Sequence, residues 1–251
     1  MRFLAAAASI FLISVSAAPA ELPTLHKRAT VIADGNSVHD GNLPDWNFKY
    51  HAAGYLAKGG CPTNSNITTC YVYSLSSNPT KNTEQDPYGV TIQDVILNAP
   101  SHLADGRIRR YTFKMTLDPS LTYTSSNSCP LVEIVSPDEN GNPTSAVYLD
   151  VRDNQAGIFA FTDTSTPSAS IPLNQFTGKH THQTWTLKSG PGGWADVKVV
   201  DEATGATLLS YNATGQNSQG TYYMRVGTDR AADNNLKPLK VYWGDWLGKY
   251  I

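Results

Sequence analysis

Tyr222-Tyr223-Met224-Arg225-Val226-Gly227-Thr228-Asp229-Arg230, followed closely by Lys240-Val241-Tyr242-Trp243-Gly244-Asp245-Trp246, is the stretch that decides the fold. Successive side chains of a strand point to opposite faces of its sheet. Read with a period of two, Tyr222, Met224 and Val226 make an oily face that packs. Tyr223, Arg225, Gly227 and Asp229 make the other, so a phenol, a guanidinium and a carboxylate stand in a row on the open side of a half-buried strand.

The same alternation recurs upstream. In 107–117, Tyr111, Phe113, Met115 and Leu117 face one way and Arg110, Thr112, Lys114 and Thr116 the other. In 131–135 both faces are apolar except for Glu133. In 147–153, Val147, Leu149 and Val151 oppose Tyr148, Asp150 and Arg152. Gln183, Trp185 and Leu187 share a side, with His182, Thr184 and Thr186 opposite; 194–201 follows with Val197 and Val199 inward, and Asp201-Glu202-Ala203-Thr204-Gly205 turns into 208–211. The last strand spans 237–246, and the region 86–103 holds a strand plus a short turn. Turn signals such as Asn78-Pro79, Asp118-Pro119 and Asn140-Gly141-Asn142-Pro143 punctuate these runs, and helical periodicity is nearly absent. The pattern predicts an all-β fold, a two-sheet antiparallel β-sandwich.

Of the 251 residues, 1–20 read as a signal peptide: Arg2, an apolar run and Ser16-Ala17-Ala18. Residues 21–28 read as a pro-segment ending at the dibasic Lys27-Arg28, and 29–251 as one sandwich domain, a length such folds commonly reach. The expectation is a secreted, extracellular, monomeric protein with no membrane span. A formal net charge of −2 provides no basic field for nucleic acid. Of the three cysteines, Cys61 and Cys70 bracket a polar loop and are the first choice for a disulfide; a Cys70–Cys129 pair is the rival. Asn66-Ile67-Thr68 and Asn212-Ala213-Thr214 are N-glycosylation acceptors expected on exposed loops.

The order Glu133-Ile134-Val135, Tyr148-Leu149-Asp150-Val151-Arg152 and Tyr223-Met224-Arg225-Val226-Gly227-Thr228-Asp229 resembles the jelly-roll polysaccharide lyases of the alginate and glucuronan lyase type, with their concanavalin A-like sandwich. In that family a Gln-Ile-His strand lines the cleft, and a later Tyr-Phe-Lys-x-Gly-x-Tyr strand faces the substrate. The resemblance sets Tyr223, Arg225 and Gly227 on the first Tyr, the Lys and the Gly. It departs at Asp229, where the family has its second Tyr, and at Glu133 and Val135, where it has Gln and His.

The resemblance implies a secreted lyase cleaving a uronate-containing polysaccharide, glucuronan- or alginate-like, by β-elimination. Such chemistry needs a group to neutralise the uronate carboxylate, a base for the adjacent proton and an acid for the leaving oxygen. Arg225, Arg152 and Arg110 offer the planar guanidinium that matches a carboxylate. Tyr223 or Tyr148 serves as base or acid, and His102, His180 and His182 titrate near neutrality. Catalytic candidates are therefore Tyr223, Arg225, Glu133 and Asp229; substrate-binding candidates are Arg110, Lys114, Tyr148, Asp150, Arg152 and His182. Trp46, Trp243 and Trp246 read first as core, with sugar stacking as the alternative. No metal site is expected from His180-Thr181-His182, which lacks a third ligand. No cofactor is expected, although Asp138-Glu139-Asn140-Gly141-Asn142 has the oxygen ligands for a structural calcium ion. Two alternatives stay open: a non-catalytic, lectin-like carbohydrate-binding sandwich, and a glycoside hydrolase using Glu133 with Asp150 or Asp229.

Overall fold

The computed structural model describes residues 28–137, 143–160, 163–214 and 220–251. The signal-peptide reading and nearly all of the pro-segment, like the Asp138–Asn142 calcium reading, lie outside these residues. The described chain forms two antiparallel sheets, with strands numbered in chain order. One sheet runs β1 (Thr30–Asp34), β4 (Tyr55–Lys58), β5 (Cys70–Leu75), β18 (Leu239–Tyr250), β9 (Ile108–Leu117), β14 (Thr181–Lys188), β15 (Trp194–Asp201) and β16 (Thr207–Thr214). The other runs β13 (Ala169–Pro172), β12 (Gln155–Ala160), β11 (Pro143–Arg152), β10 (Pro130–Pro137), β17 (Thr221–Ala231), β7 (Thr91–Asn98), β3 (Lys49–Ala52) and β2 (His39–Asn42). On this second sheet β6 (Thr83–Gln85) also pairs with β7, and β8 (His102–Leu103) with β17. The sandwich expected from the sequence is the fold observed.

Alternation is the cause. Tyr111, Phe113, Met115 and Leu117 of β9 meet Trp185 of β14 and Val197 and Val199 of β15 in the interior, and Tyr222, Met224 and Val226 of β17 reach it from the other sheet. Trp243 is fully buried and stacks on Tyr71, while Trp46 and Trp246 pack against the same aromatic cluster, so the tryptophans build core. The only α-helix among the described residues is Leu173–Phe176. The final strand runs past the expected end to Tyr250, with a register irregularity between Gly244 and Leu247.

Cys61 and Cys70 are disulfide-bonded, and Cys129 is a free, buried thiol, which rules out the Cys70–Cys129 pairing. Burial pushes the Cys129 thiol up to about 12, so it stays protonated and unreactive in the native state. Asn66 is exposed on a loop as expected, but Asn212 lies within β16 rather than on a loop. It is nonetheless accessible, because β16 is the edge of its sheet and the residue points outward. No helix among the described residues is long and apolar enough to cross a membrane.

Candidate functional site

On the outer face of the second sheet, the strand registers set one residue from each of six neighbouring strands side by side. Phe159 pairs with Tyr148, Tyr148 with Glu133, Glu133 with Arg225, Arg225 with Asn98, and Asn98 with Lys49. Tyr148 stacks on Phe159 with ring centroids 5.5 Å apart. At the centre, Arg225 Nη1 donates to Glu133 Oε2 at 3.1 Å and Nε donates to Asn98 Oδ1 at 3.4 Å. Ser145 Oγ donates to the other oxygen of Glu133. Only 16% of the Arg225 side chain and 8% of that of Glu133 reach solvent.

Burial pushes the Glu133 carboxyl above its ordinary range, against the pull of Arg225, with Asp229 adding to the rise. Burial works against the Arg225 charge, yet Glu133 and Asp229 hold the guanidinium protonated more firmly than usual. The pair sits in the floor of an open furrow of about 840 Å³ whose lining includes Glu84, Tyr88, Tyr148 and Asp229.

The approach of β17 to β7 explains Gly227. A Cβ there would lie 2.1 Å from the Val95 carbonyl oxygen, and the backbone φ is +139°. The absence of a side chain at 227 lets β17 lie close against β7 between Arg225 and Asp229.

The sequence-predicted residues fall into four groups. Glu133, Tyr148, Arg225 and Asp229 line the furrow together. Tyr223 is on the same face, half-buried and opposite Val135, but does not line the furrow. Arg152 shares that sheet face, its guanidinium 3.7 Å over the Phe159 ring and bonded to the Thr164 carbonyl. Asp150 is a correction: its carboxylate is sealed, accepting from Ser128 Oγ at 2.6 Å and from the Cys129 amide at 2.7 Å. It anchors the chain entering β10 and offers nothing to a ligand. Arg110, Lys114 and His182 are a second correction, because they belong to β9 and β14 of the opposite sheet and point outward there. Lys114 is occupied by the Asn66 carbonyl at 2.6 Å, with Glu202 and Asp245 nearby, and Arg110 bonds Thr186. No ligand in the furrow reaches that side.

The sequence reading missed a cluster beside the furrow. His51 on β3 contacts Asp40 through Nδ1 at 2.7 Å, and Glu84 at 2.8 Å and Asp94 at 3.6 Å through Nε2. Asp94 faces Asp229 across the β7–β17 pair. Burial and the Glu84 charge push Asp94 up to about 7. Burial lowers His51, but its bonds to Asp40 and Glu84 outweigh that and leave it above the ordinary histidine value. Tyr88, also missed, is 86% exposed on the furrow rim. Its position after Asp86-Pro87 in a turn was the available signal.

No protein-family model matches the sequence, and no curated protein sequence does. Solved structures do match in fold. The chain is a jelly-roll sandwich. It superposes on an endo-β-1,4-glucuronan lyase from the fungus Trichoderma reesei with a TM-score of 0.54 at 11% identity, over 87% of this chain and 96% of that one. A product-bound family 7 alginate lyase, A1-II', gives a TM-score of 0.49 at 10% identity, over 77% and 86%. The metal-free lectin I-B4 from Griffonia simplicifolia gives 0.46 at 11%, over 83% and 95%.

Proposed function

We propose that the protein is a secreted, monomeric polysaccharide lyase that cleaves a uronate-containing chain, glucuronan- or alginate-like, by β-elimination in the furrow of the second sheet. The observation that carries this reading is the largely buried Arg225 guanidinium in the floor of that furrow, backed by Glu133, with Tyr148 lining the furrow beside Glu133. An anionic sugar chain needs one fixed cation where its carboxylate gains electron density, and a nearly dry guanidinium is stronger there than a solvated lysine.

In this reading Arg225 holds the uronate carboxylate. A base on the same face, Tyr223, which stands outside the furrow lining but interacts with the Arg225 guanidinium, takes the proton alpha to that carboxylate, and the C–H electron pair becomes the new carbon–carbon double bond. The bond to the 4-oxygen breaks, and that oxygen takes a proton from an acid. Tyr148 suits the acid role, because burial raises its phenol and keeps it protonated. Glu133 orients the guanidinium, and Asp229 borders the subsite beyond Gly227. The shared fold with a glucuronan lyase is consistent with this reading, and fold alone does not assign it.

A lectin-like reading is favoured by one specific feature: Val135 and Asp229 stand where the lyase pattern has its His and second Tyr. The hydrolase reading loses support, since Asp150 is sealed and Glu133 is tied to Arg225. Purified protein incubated with glucuronan, alginate and a neutral glucan separates the three. A lyase produces unsaturated uronate ends and rising ultraviolet absorbance, a hydrolase only reducing ends, and a lectin binding alone.

A further inference from the structure

We propose that His51, Glu84 and Asp94 form a binding site for one divalent first-row transition-metal ion of the Zn²⁺ or Mn²⁺ kind at the side of the furrow. Three different strands bring the residues together: β3 supplies His51, β6 Glu84 and β7 Asp94. Their ligand atoms all lie within 4.8 Å of one another. His51 Nε2 is 2.8 Å from Glu84 Oε2 and 3.6 Å from Asp94 Oδ2. Bonds of about 2.0 Å to a tetrahedral ion separate its ligands by about 3.3 Å. The two spacings from His51 bracket that value, so on the imidazole side shifts of a few tenths of an ångström bring each carboxylate to the tetrahedral spacing.

Asp94 provides the independent observation. Its side chain is fully buried, and Oδ1 accepts from the Ala53 amide at 3.1 Å. Oδ2 has no hydrogen-bond donor and faces the imidazole. A buried carboxylate oxygen without a donor is costly, and a cation removes the cost. Among the described residues no lysine or arginine pairs with Asp40, Glu84 or Asp94. Asp229 adds a further negative charge directly across from Asp94.

Asp40 completes the arrangement from behind. A metal-binding histidine characteristically gives its remaining ring N–H to a carboxylate, which fixes the ring and raises its basicity. His51 Nδ1 lies 2.7 Å from Asp40 Oδ1, which leaves Nε2 to face Glu84 and Asp94. One imidazole and two carboxylates suit zinc or manganese; calcium calls for six to eight oxygens. Glu84 lines the furrow, so a fourth position on the ion opens toward whatever the furrow holds. The site stands on its own geometry and does not depend on the lyase reading.

The test is calorimetric titration of Zn²⁺ into the full chain after chelator treatment, with Mn²⁺ and Ca²⁺ in parallel. The expected result is one Zn²⁺ per chain, weaker Mn²⁺ binding, and no competition from Ca²⁺. His51→Ala and Glu84→Gln should each weaken Zn²⁺ binding by at least ~100-fold, and Asp40→Asn by roughly 10–100-fold. If His51→Ala does not fold, the unaltered protein still decides: Mn²⁺ should broaden the His51 ring signals in its NMR spectrum selectively. Absence of Zn²⁺ binding, binding that survives both ligand substitutions, or broadening that spares His51 would each overturn the site.

Discussion

Arg225 and Glu133 stand directly opposite one another on β17 and β10, and the guanidinium closes on the carboxylate at 3.1 Å with little of either group exposed. Removing one member of a buried ion pair strands the other without a partner, at a cost of about 3–5 kcal/mol. Arg225→Ala should therefore lower stability by roughly that amount, and Arg225→Ala combined with Glu133→Ala by less than the sum of the single changes. Arg225→Lys keeps the charge but loses the fork. It should remain folded while losing polyuronate binding at least ~10-fold. Denaturant unfolding and binding isotherms on the same preparations check both statements.

Tyr88 tests whether the furrow receives a sugar chain. It is highly exposed on the rim, and its loss leaves no cavity. Tyr88→Ala should leave stability within ~0.5 kcal/mol of the parent. It should weaken binding of a polysaccharide by about 1–2 kcal/mol, the loss expected for an aromatic platform under a sugar ring. Unchanged affinity would place the ligand elsewhere.

Gly227 tests the backbone of the site. Any side chain there drives a carbon into the Val95 carbonyl, on a backbone conformation that disfavours L residues. Gly227→Ala should cost at least ~3 kcal/mol, because β17 and β7 must separate to accommodate it. A thermal melt measures the loss.

Asp150 carries a pH signature. Burial raises its carboxyl, against the donors from Ser128 and Cys129. The native state therefore holds this proton more tightly than the unfolded chain. The contribution of Asp150 to stability is greatest in acid and falls as pH rises from its unfolded value near 4 through its raised native value. Asp150→Asn, which still accepts from the Cys129 amide, should remove that slope with little change in polysaccharide binding. Melting curves across pH 3–8 for both proteins would show it.

The strands with one apolar and one polar face were legible in the sequence. Tyr111, Phe113 and Met115, or Tyr222, Met224 and Val226, are buried as their spacing predicts. Period two separates inside from outside, but it does not say which of two sheets a strand joins. Arg110, Lys114 and His182 point outward as expected, yet from the wrong sheet to meet Arg225. The short strands β2, β3 and β6 carry no oily face of useful length, so they left no signal. The cluster around His51 went unseen with them, since Asp40, Glu84 and Asp94 lie 11 to 43 residues away in the chain and meet only through strand pairing. Asp150 was misassigned because its open-face position is covered by Ser128 and Cys129, a loop contact that alternation does not foresee.

The central claim is that Arg225 neutralises a uronate carboxylate in the furrow while a neighbouring phenol removes the adjacent proton. The most direct measurement is ultraviolet absorbance during incubation of the protein and its Arg225→Gln variant, which removes the cation, with glucuronan and alginate. The account predicts steadily rising absorbance from unsaturated uronate ends with the parent and a rate at least ~100-fold lower with the folded variant. A flat trace with the parent on both polymers, or an equal rate from the variant, would contradict it.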